Sequence, residues 1–332
     1  MKKIFILVIL LLVSLSGCKK NTNEINIGLL RVPNDAILAK QMGLFDEKYN
    51  ALGYKVNYYS FDSGVDANKA LVSGDIDFAT MGNINSLVAL GKNLNVELIW
   101  IHETLGEVEA LVVRNNSGIQ TVEDLAGKRV GTTFVSTAHY ILLNVLAEAG
   151  IEDQVQLLNM KTSELAAAWL RGDIDAVYTW QPTLGTLIDH DGFVLVSSED
   201  MIEKGYMTAN VELVRKQFSS VHPELVKIYV ECMVEARTYY ETNRTEALQK
   251  LATELELSVN EIDVQVSGSI WTSLEEMKNS EFITGYVDTM FSQSDFLLQQ
   301  DFIDRVITRE EVSIFINNSY ALGVNDENIN PN

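Results

Sequence analysis

Cysteine is almost missing from this chain: Cys18 and Cys232 are the two present in 332 residues. Two thiols make one pair at most, which is no disulfide framework, and they fall short of the thiolate set of a structural zinc site. Basic side chains are also scarce. The 25 Lys and Arg stand against 46 Asp and Glu, for a formal charge of −21, and no cluster of them could track a phosphate backbone, so nucleic acid is not an expected partner. Nor is there an apolar run long enough to span a membrane. Residues 4–15 come nearest, interrupted only by Ser14, but as a helix they reach about 18 Å against the ~30 Å of a bilayer core.

That short run has a different meaning. It comes after the basic start Met1-Lys2-Lys3 and ends in Leu15-Ser16-Gly17-Cys18, a signal-peptide pattern whose last four residues resemble a bacterial lipobox. Small residues admit the signal peptidase, and the Cys18 thiol receives a diacylglyceryl group. Residues 1–17 are thus expected to be a lipoprotein signal peptide and 18–24 a lipidated polar tether, holding the protein outside the cytoplasm on a membrane. The plainer reading is an ordinary secretory signal with an incidental cysteine.

The chain as a whole has a globular composition, 47% apolar and 21% charged, with length for two lobes of roughly 100–200 residues. Strands are expected at 25–30, 54–60, 77–81 and 96–101, with helices at 34–49, 66–72 and 85–91 between them. That order implies sheets built by crossover helices. A strand at 108–114 leads to a second series, with strands at 129–133, 155–159 and 174–179 and helices at 136–149 and 163–170. Gly-Asp-Ile-Asp occurs in both series, at 74–77 and 172–175. In each copy the glycine ends a helix and the acids open a strand. Ligands of open α/β sheets bind beyond the opposite, carboxyl ends of the strands, so these acids are read as structural and the duplication as two similar lobes.

At those carboxyl ends, Gly82-Asn83-Ile84-Asn85-Ser86, Phe134-Val135-Ser136-Thr137-Ala138-His139 and Trp180-Gln181-Pro182-Thr183 each open a helix. Helix N-termini carry unpaired N–H groups and roughly half a positive charge, so several facing one crevice make an anion site. Simple N-capping by Ser136 and Thr137 is the plainer alternative. Beyond residue 211 the pattern is helical. Pro223 opens a helix whose core stripe includes Leu225, Tyr229, Cys232 and Met233, and further helices are expected at 246–257, 259–268, 288–299 and 301–307.

The stretches Phe61-Asp62-Ser63-Gly64, 70–77, Glu109-Ala110-Leu111-Val112-Val113, Phe134 with Ser136-Thr137 and His139-Tyr140, and Ala167-Ala168-Trp169 with 171–175 resemble, in order, the substrate-binding lipoproteins of bacterial ABC importers for taurine, aliphatic sulfonates and nitrate. The taurine binders are the most similar of these. The resemblance implies an α/β, two-lobe periplasmic-binding-protein type II fold, each lobe a mixed sheet flanked by helices, with ligand in the interlobe cleft. The lobes would be 25–112 with 212–325, and 113–211. It further implies a monomer that captures a small organic sulfonate, taurine or a close analogue, and delivers it unchanged to permease and ATPase subunits, with no cofactor, no metal, and a membrane tie through the Cys18 lipid.

Carried over to this chain, the ligand's anionic end would meet Ser63, Gly64, Gly82, Asn83, Ser136, Thr137 and His139. Arg31 would be a further donor unless it pairs with Asp35. Trp180 would pack on the alkyl chain, and Glu109 would hold an ammonium end by a charge-assisted hydrogen bond. On the returning strand, where the pattern implies an acid facing the amine, this chain has Asn210. A buried ammonium without its carboxylate is costly, so the expectation is for the sulfonate class ahead of taurine itself. Two other readings stay open. A binder of a thiamine-pyrimidine precursor or other small heterocycle would share the fold and require an aromatic sandwich. A pyrimidine-synthase enzyme on the same scaffold would need a cysteine-rich iron-binding segment that this sequence lacks, and no nucleophile elbow, HExxH or P-loop is present.

Overall fold

The computed structural model describes residues 23–324; the expected signal peptide, Cys18 and most of the tether lie outside the described residues. In chain order the strands are β1 (Glu24–Leu30), β2 (Lys55–Phe61), β3 (Phe78–Gly82), β4 (Val96–Leu105), β5 (Glu109–Arg114), β6 (Arg129–Thr132), β7 (Gln156–Asn159), β8 (Ala176–Trp180), β9 (Gly192–Ser197), β10 (Ala209–Arg215) and β11 (Ser269–Trp271). They form two sheets, β11-β4-β10-β3-β1-β2 and β7-β6-β8-β5-β9. β1 pairs in parallel with β2 and β3, and β6 with β7 and β8, as helical crossovers require. β10 inserts antiparallel between β3 and β4, and β5 antiparallel between β8 and β9. Both sheets are therefore mixed.

The chain changes sheet earlier than expected. β5 belongs to the second sheet, so the first crossing lies at 106–108 rather than near Val113. The return lies between Ser197 and Ala209, ahead of Val211. Hydrophobic patterning marks a strand but not its hydrogen-bonding partners, and the expected boundary is displaced for that reason.

The duplicated motif is built alike in both sheets. Gly74 and Gly172 end their helices in the left-handed conformation, at φ 75° and 77°. The second acid of each copy then clamps the entry of the adjoining parallel strand. Asp77 Oδ2 accepts from the Asn26 amide at 2.9 Å, and Asp175 Oδ2 from the Arg129 amide at 2.9 Å. Each also meets an arginine, Arg215 and Arg129 respectively.

Alternation along β5 shows how the second sheet is covered on both faces. Ala110 and Val112 pack with Leu165, Trp169 and Leu187, while Leu111 and Val113 join the larger core. After β10 the chain covers the first sheet: helix Pro223–Thr242 lays Tyr229 between Phe45 and Phe78, with ring centroids 4.7 and 4.1 Å away. Helix Ser280–Gln299 spans the return crossing, where Gln293 Nε2 donates to the Met207 carbonyl at 2.6 Å and Oε1 accepts from Asn83 Nδ2 at 2.8 Å. The segment 301–307, expected helical, is made of turns; Asp301 adopts φ 57°, which stops the preceding helix. No helix among the described residues is long and apolar enough to cross a membrane.

Candidate functional site

A cleft of about 620 Å³, counted to its open mouth, separates the sheets. Three helix openings line it. From the first lobe come helix Gly64–Ser73, whose N-cap Ser63 accepts from the Asp66 amide, and helix Asn83–Gly91, which begins after Gly82 with no side-chain cap. From the second comes helix Thr137–Glu148. Its N-cap Ser136 accepts from the His139 amide at 3.2 Å and donates to the Thr133 carbonyl at 2.6 Å. First-turn amides have no partner within their own helix, so three positive helix ends share one space.

The two lobes touch at these openings. Asn85 Nδ2 donates to the Val135 carbonyl at 2.7 Å. A Cβ added to Gly82 would lie 2.8 Å from Thr137 Cγ2, closer than carbon atoms pack, so the glycine is what admits the second lobe's helix.

Two carboxyl groups also face the cleft, and among the described residues no Lys, Arg or His lines it. Glu109, at the start of β5, is fully buried and accepts hydrogen bonds from the hydroxyls of Thr137 and Ser198, the latter at 2.8 Å. Burial pushes its carboxyl up to about 7, against the pull of those bonds. Glu103, on β4, is 3% exposed. Its Oε1 accepts from Asn210 Nδ2 at 2.5 Å, while its Oε2 has no partner among the described residues. Burial pushes this group up to about 7 as well, opposed by the neighbouring His102 charge and the Asn210 bond.

His102 itself is sandwiched between Asp35 at Nδ1 and Glu212 at Nε2, the second contact at 3.0 Å. With an acid at each nitrogen both must donate, and against burial the two carboxylates hold its pKa well above the ordinary value. The β4–β10 ladder slips at this point: Asn210 pairs with Glu103 and Val211 with Ile101, leaving His102 as an extra residue. Bulges of this kind re-aim side chains beside functional sites.

Of the residues nominated from sequence, Ser63, Gly64, Gly82, Glu109, Ser136, Thr137, Trp180 and Asn210 line the cleft. Arg31, Asn83 and His139 do not. Arg31 is exposed and lines a separate depression with Lys40, Tyr58 and Glu254; Asp35 is taken by Trp100 and His102. Asn83 turns into the first lobe, its Oδ1 accepting from the Ala209 amide at 3.2 Å. His139 accepts the Val135 amide at Nδ1 and stacks 4.3 Å from Phe134, and burial lowers it to about 4, so its ring is neutral. Successive residues of a helical turn point about 100° apart, so sharing a helix opening does not mean sharing a target.

Asn85 and Gln181, named from sequence only as parts of helix openings, also line the cleft, and sequence reasoning passes over Glu103, Gln265 and Ser269, which do so too. An acid inside the apolar run 98–105 is a legible signal for Glu103. Gln265 and Ser269 come from the carboxyl-terminal segment, where only helical spacing can be read.

The taurine-binding periplasmic protein of Escherichia coli (strain K12) is 35% identical over 256 residues, covering 75% of this chain and 78% of that protein. Among solved structures, the alkanesulfonate-binding protein SsuA from Xanthomonas axonopodis pv. citri, bound to MOPS, superposes with a TM-score of 0.75 at 21% identity, over 89% of this chain and 98% of that one. The desulfurization enzyme DSZB superposes with a TM-score of 0.64 at 17% identity, over 90% and 98%. At such identities the superpositions establish the two-lobe fold, which binding proteins and an enzyme share. The family model described as NMT1/THI5 like matches residues 35–247, which takes in every strand from β2 to β10 and both crossings between the sheets, and the chain accordingly belongs to the NMT1/THI5-like family.

Proposed function

We propose that the protein is the extracytoplasmic solute-binding component of an ABC importer, and that its ligand is a small amino-sulfonate, taurine or a close analogue. The observation that carries this reading is the pairing, in one cleft, of three helix openings with two carboxyl groups and, among the described residues, no cationic side chain. Neutral amides at helix ends suit an anion, and the carboxylates suit an ammonium, so the complementary solute is a zwitterion. First-turn amides at Gly64, Asn85 and Thr137 would hold the sulfonate, Trp180 would lie along the alkyl chain, and Glu109 would face the amine. The similarity to a taurine-binding protein at 35% identity supports the same solute class. Closure of the lobes would trap the solute unchanged for a permease, and the lipobox at Leu15-Ser16-Gly17-Cys18 would tether the receptor to the membrane as a monomer. The heterocycle reading is less well served, because Trp180 is the one aromatic side chain among the described residues that line the cleft.

Purified residues 19–332 are expected to melt several degrees higher in taurine at a hundredfold excess over Kd, a stabilisation of about 2.7 kcal/mol. A panel in which pyrimidines raise the midpoint and sulfonates leave it unmoved would favour the heterocycle binder. Consumption of taurine, followed by proton NMR, would favour an enzyme. Replacing Cys18 by Ser is expected to release the full-length protein from membranes, and continued membrane retention would contradict the lipid tether.

A further inference from the structure

The two acids of the cleft are not equivalent. Glu109 is already engaged: Thr137 donates to one carboxylate oxygen, and Ser198 and Thr208 to the other. Glu103 is engaged on one side only. Asn210 holds Oε1, while Oε2 is buried, without a partner among the described residues, and part of a side chain that lines the cleft. A buried carboxylate oxygen with no donor is costly, and such atoms in native proteins mark an interaction still to be made. A purely structural role for Glu103 would be as counter-charge to His102, but that ring already has Asp35 at one nitrogen and Glu212 at the other.

We propose that Glu103 selects the amine together with Glu109: its free oxygen accepts an N–H of the ligand's ammonium group. The carboxylate that the taurine-like pattern implies at position 210 is thus supplied in this chain from β4, by the cross-strand partner of Asn210. Cross-strand neighbours on one face lie about 5 Å apart, so an acid on either strand reaches nearly the same point. The ionisable or charged groups around it are His102 on its own strand, Asp35 from helix Asp35–Met42, Tyr286 from helix Ser280–Gln299 and Glu109 from β5, with the Asn210 amide from β10. The assignment rests on the amino-sulfonate reading above and deepens it.

Calorimetric titration with taurine and with ethanesulfonate, which lacks the amine, tests it. Glu103→Gln is expected to weaken taurine at least tenfold while leaving ethanesulfonate equal or tighter. The double variant Glu103→Gln with Asn210→Asp is expected to recover most of the taurine preference, because the carboxylate returns from the other strand. If Glu103→Gln keeps the unmutated protein's ratio of the two affinities, the assignment is wrong even though the solute reading stands. If the unmutated protein binds neither compound, the solute reading falls and this assignment with it. A second measurement does not depend on Glu103→Gln folding. In Glu109→Gln protein at pH 6, Glu103 is the one carboxyl group left among the described residues lining the cleft, so taurine binding is expected to release protons to the buffer. Taurine binding without proton release overturns the proposal.

Discussion

Glu109 sits where the motif-bearing start of β5 enters the cleft, held by Thr137 and Ser198 hydroxyls on both of its oxygens. Replacing it by Gln keeps the size and most of the acceptor capacity but removes the charge. Hydrogen bonds to charged groups contribute about 1.5–3 kcal/mol, so Glu109→Gln is expected to weaken taurine by about 10- to 100-fold in titration calorimetry and ethanesulfonate by little. Equal losses for both would make Glu109 a brace for Thr137 and Ser198 only. Its place in the cleft is legible because it stands in a recognisable stretch of sequence. Glu103 is legible only as an oddity, an acid in an apolar strand. Arg31, Asn83 and His139 are misplaced from sequence for one reason: type and position suggest a donor, but the direction of a side chain is set by neighbours distant in the chain, such as Gln293 for Asn83.

Among the elements, the two Gly-Asp-Ile-Asp copies read as paired architecture, and they fold as such, with Asp77 and Asp175 making the same strand clamp in each sheet. Two of the three helix openings, after β3 and β6, are also readable, because each comes after a buried strand and begins with small or capping residues; the third, at Ser63-Gly64, comes after the half-exposed β2 and enters through the family resemblance alone. Their convergence depends on Gly82. In Gly82→Ala the new methyl group would meet Thr137 Cγ2 at 2.8 Å, and overpacking of this kind costs about 1–3 kcal/mol. The strain is relieved by parting the lobes, so taurine affinity is expected to drop about tenfold or more while the melting point of the unliganded protein changes little. An unchanged affinity would show that the approach of these two helices is not needed for binding. Strand partners are not readable, which is why β5 falls in the wrong lobe when judged from sequence and why β9 and β11 are not anticipated at all.

Across the whole molecule, several buried groups bind protons more tightly when folded than when unfolded. Glu103 and Glu109 are raised from 4.5 to about 7, Glu212 is raised, and His102 is raised well above 6.5, where Asp35 and Glu212 outweigh burial. A raised folded-state pKa stabilises fully below the unfolded value and is lost as pH climbs through the folded one. The two cleft acids therefore lose their contribution between about 4.5 and 7, and His102 only above its raised value. Carboxyl groups with lowered values, such as Asp175 beside Arg129, lose theirs only in the acid range below that window. His139, which burial lowers from 6.5 to about 4, works in the opposite sense but only up to about 6.5, so the urea midpoint of the unliganded protein is expected to fall from pH 6.5 to pH 8, by about 1–2 kcal/mol in stability, and to fall less in Glu109→Gln. A midpoint level or rising over that range would contradict the burial of these acids. By itself the sequence determined the alternation of strands and helices, the doubling of the lobe and two of the cleft's helix openings, because hydrophobic period, glycine and capping residues act over a few neighbouring positions. Only the tertiary structure decided which strands pair, where the chain changes lobe, and that the cleft's second acid comes from β4 beside Asn210, because those depend on contacts between residues distant in the chain, such as Glu109 with Trp180 and Glu103 with Asn210.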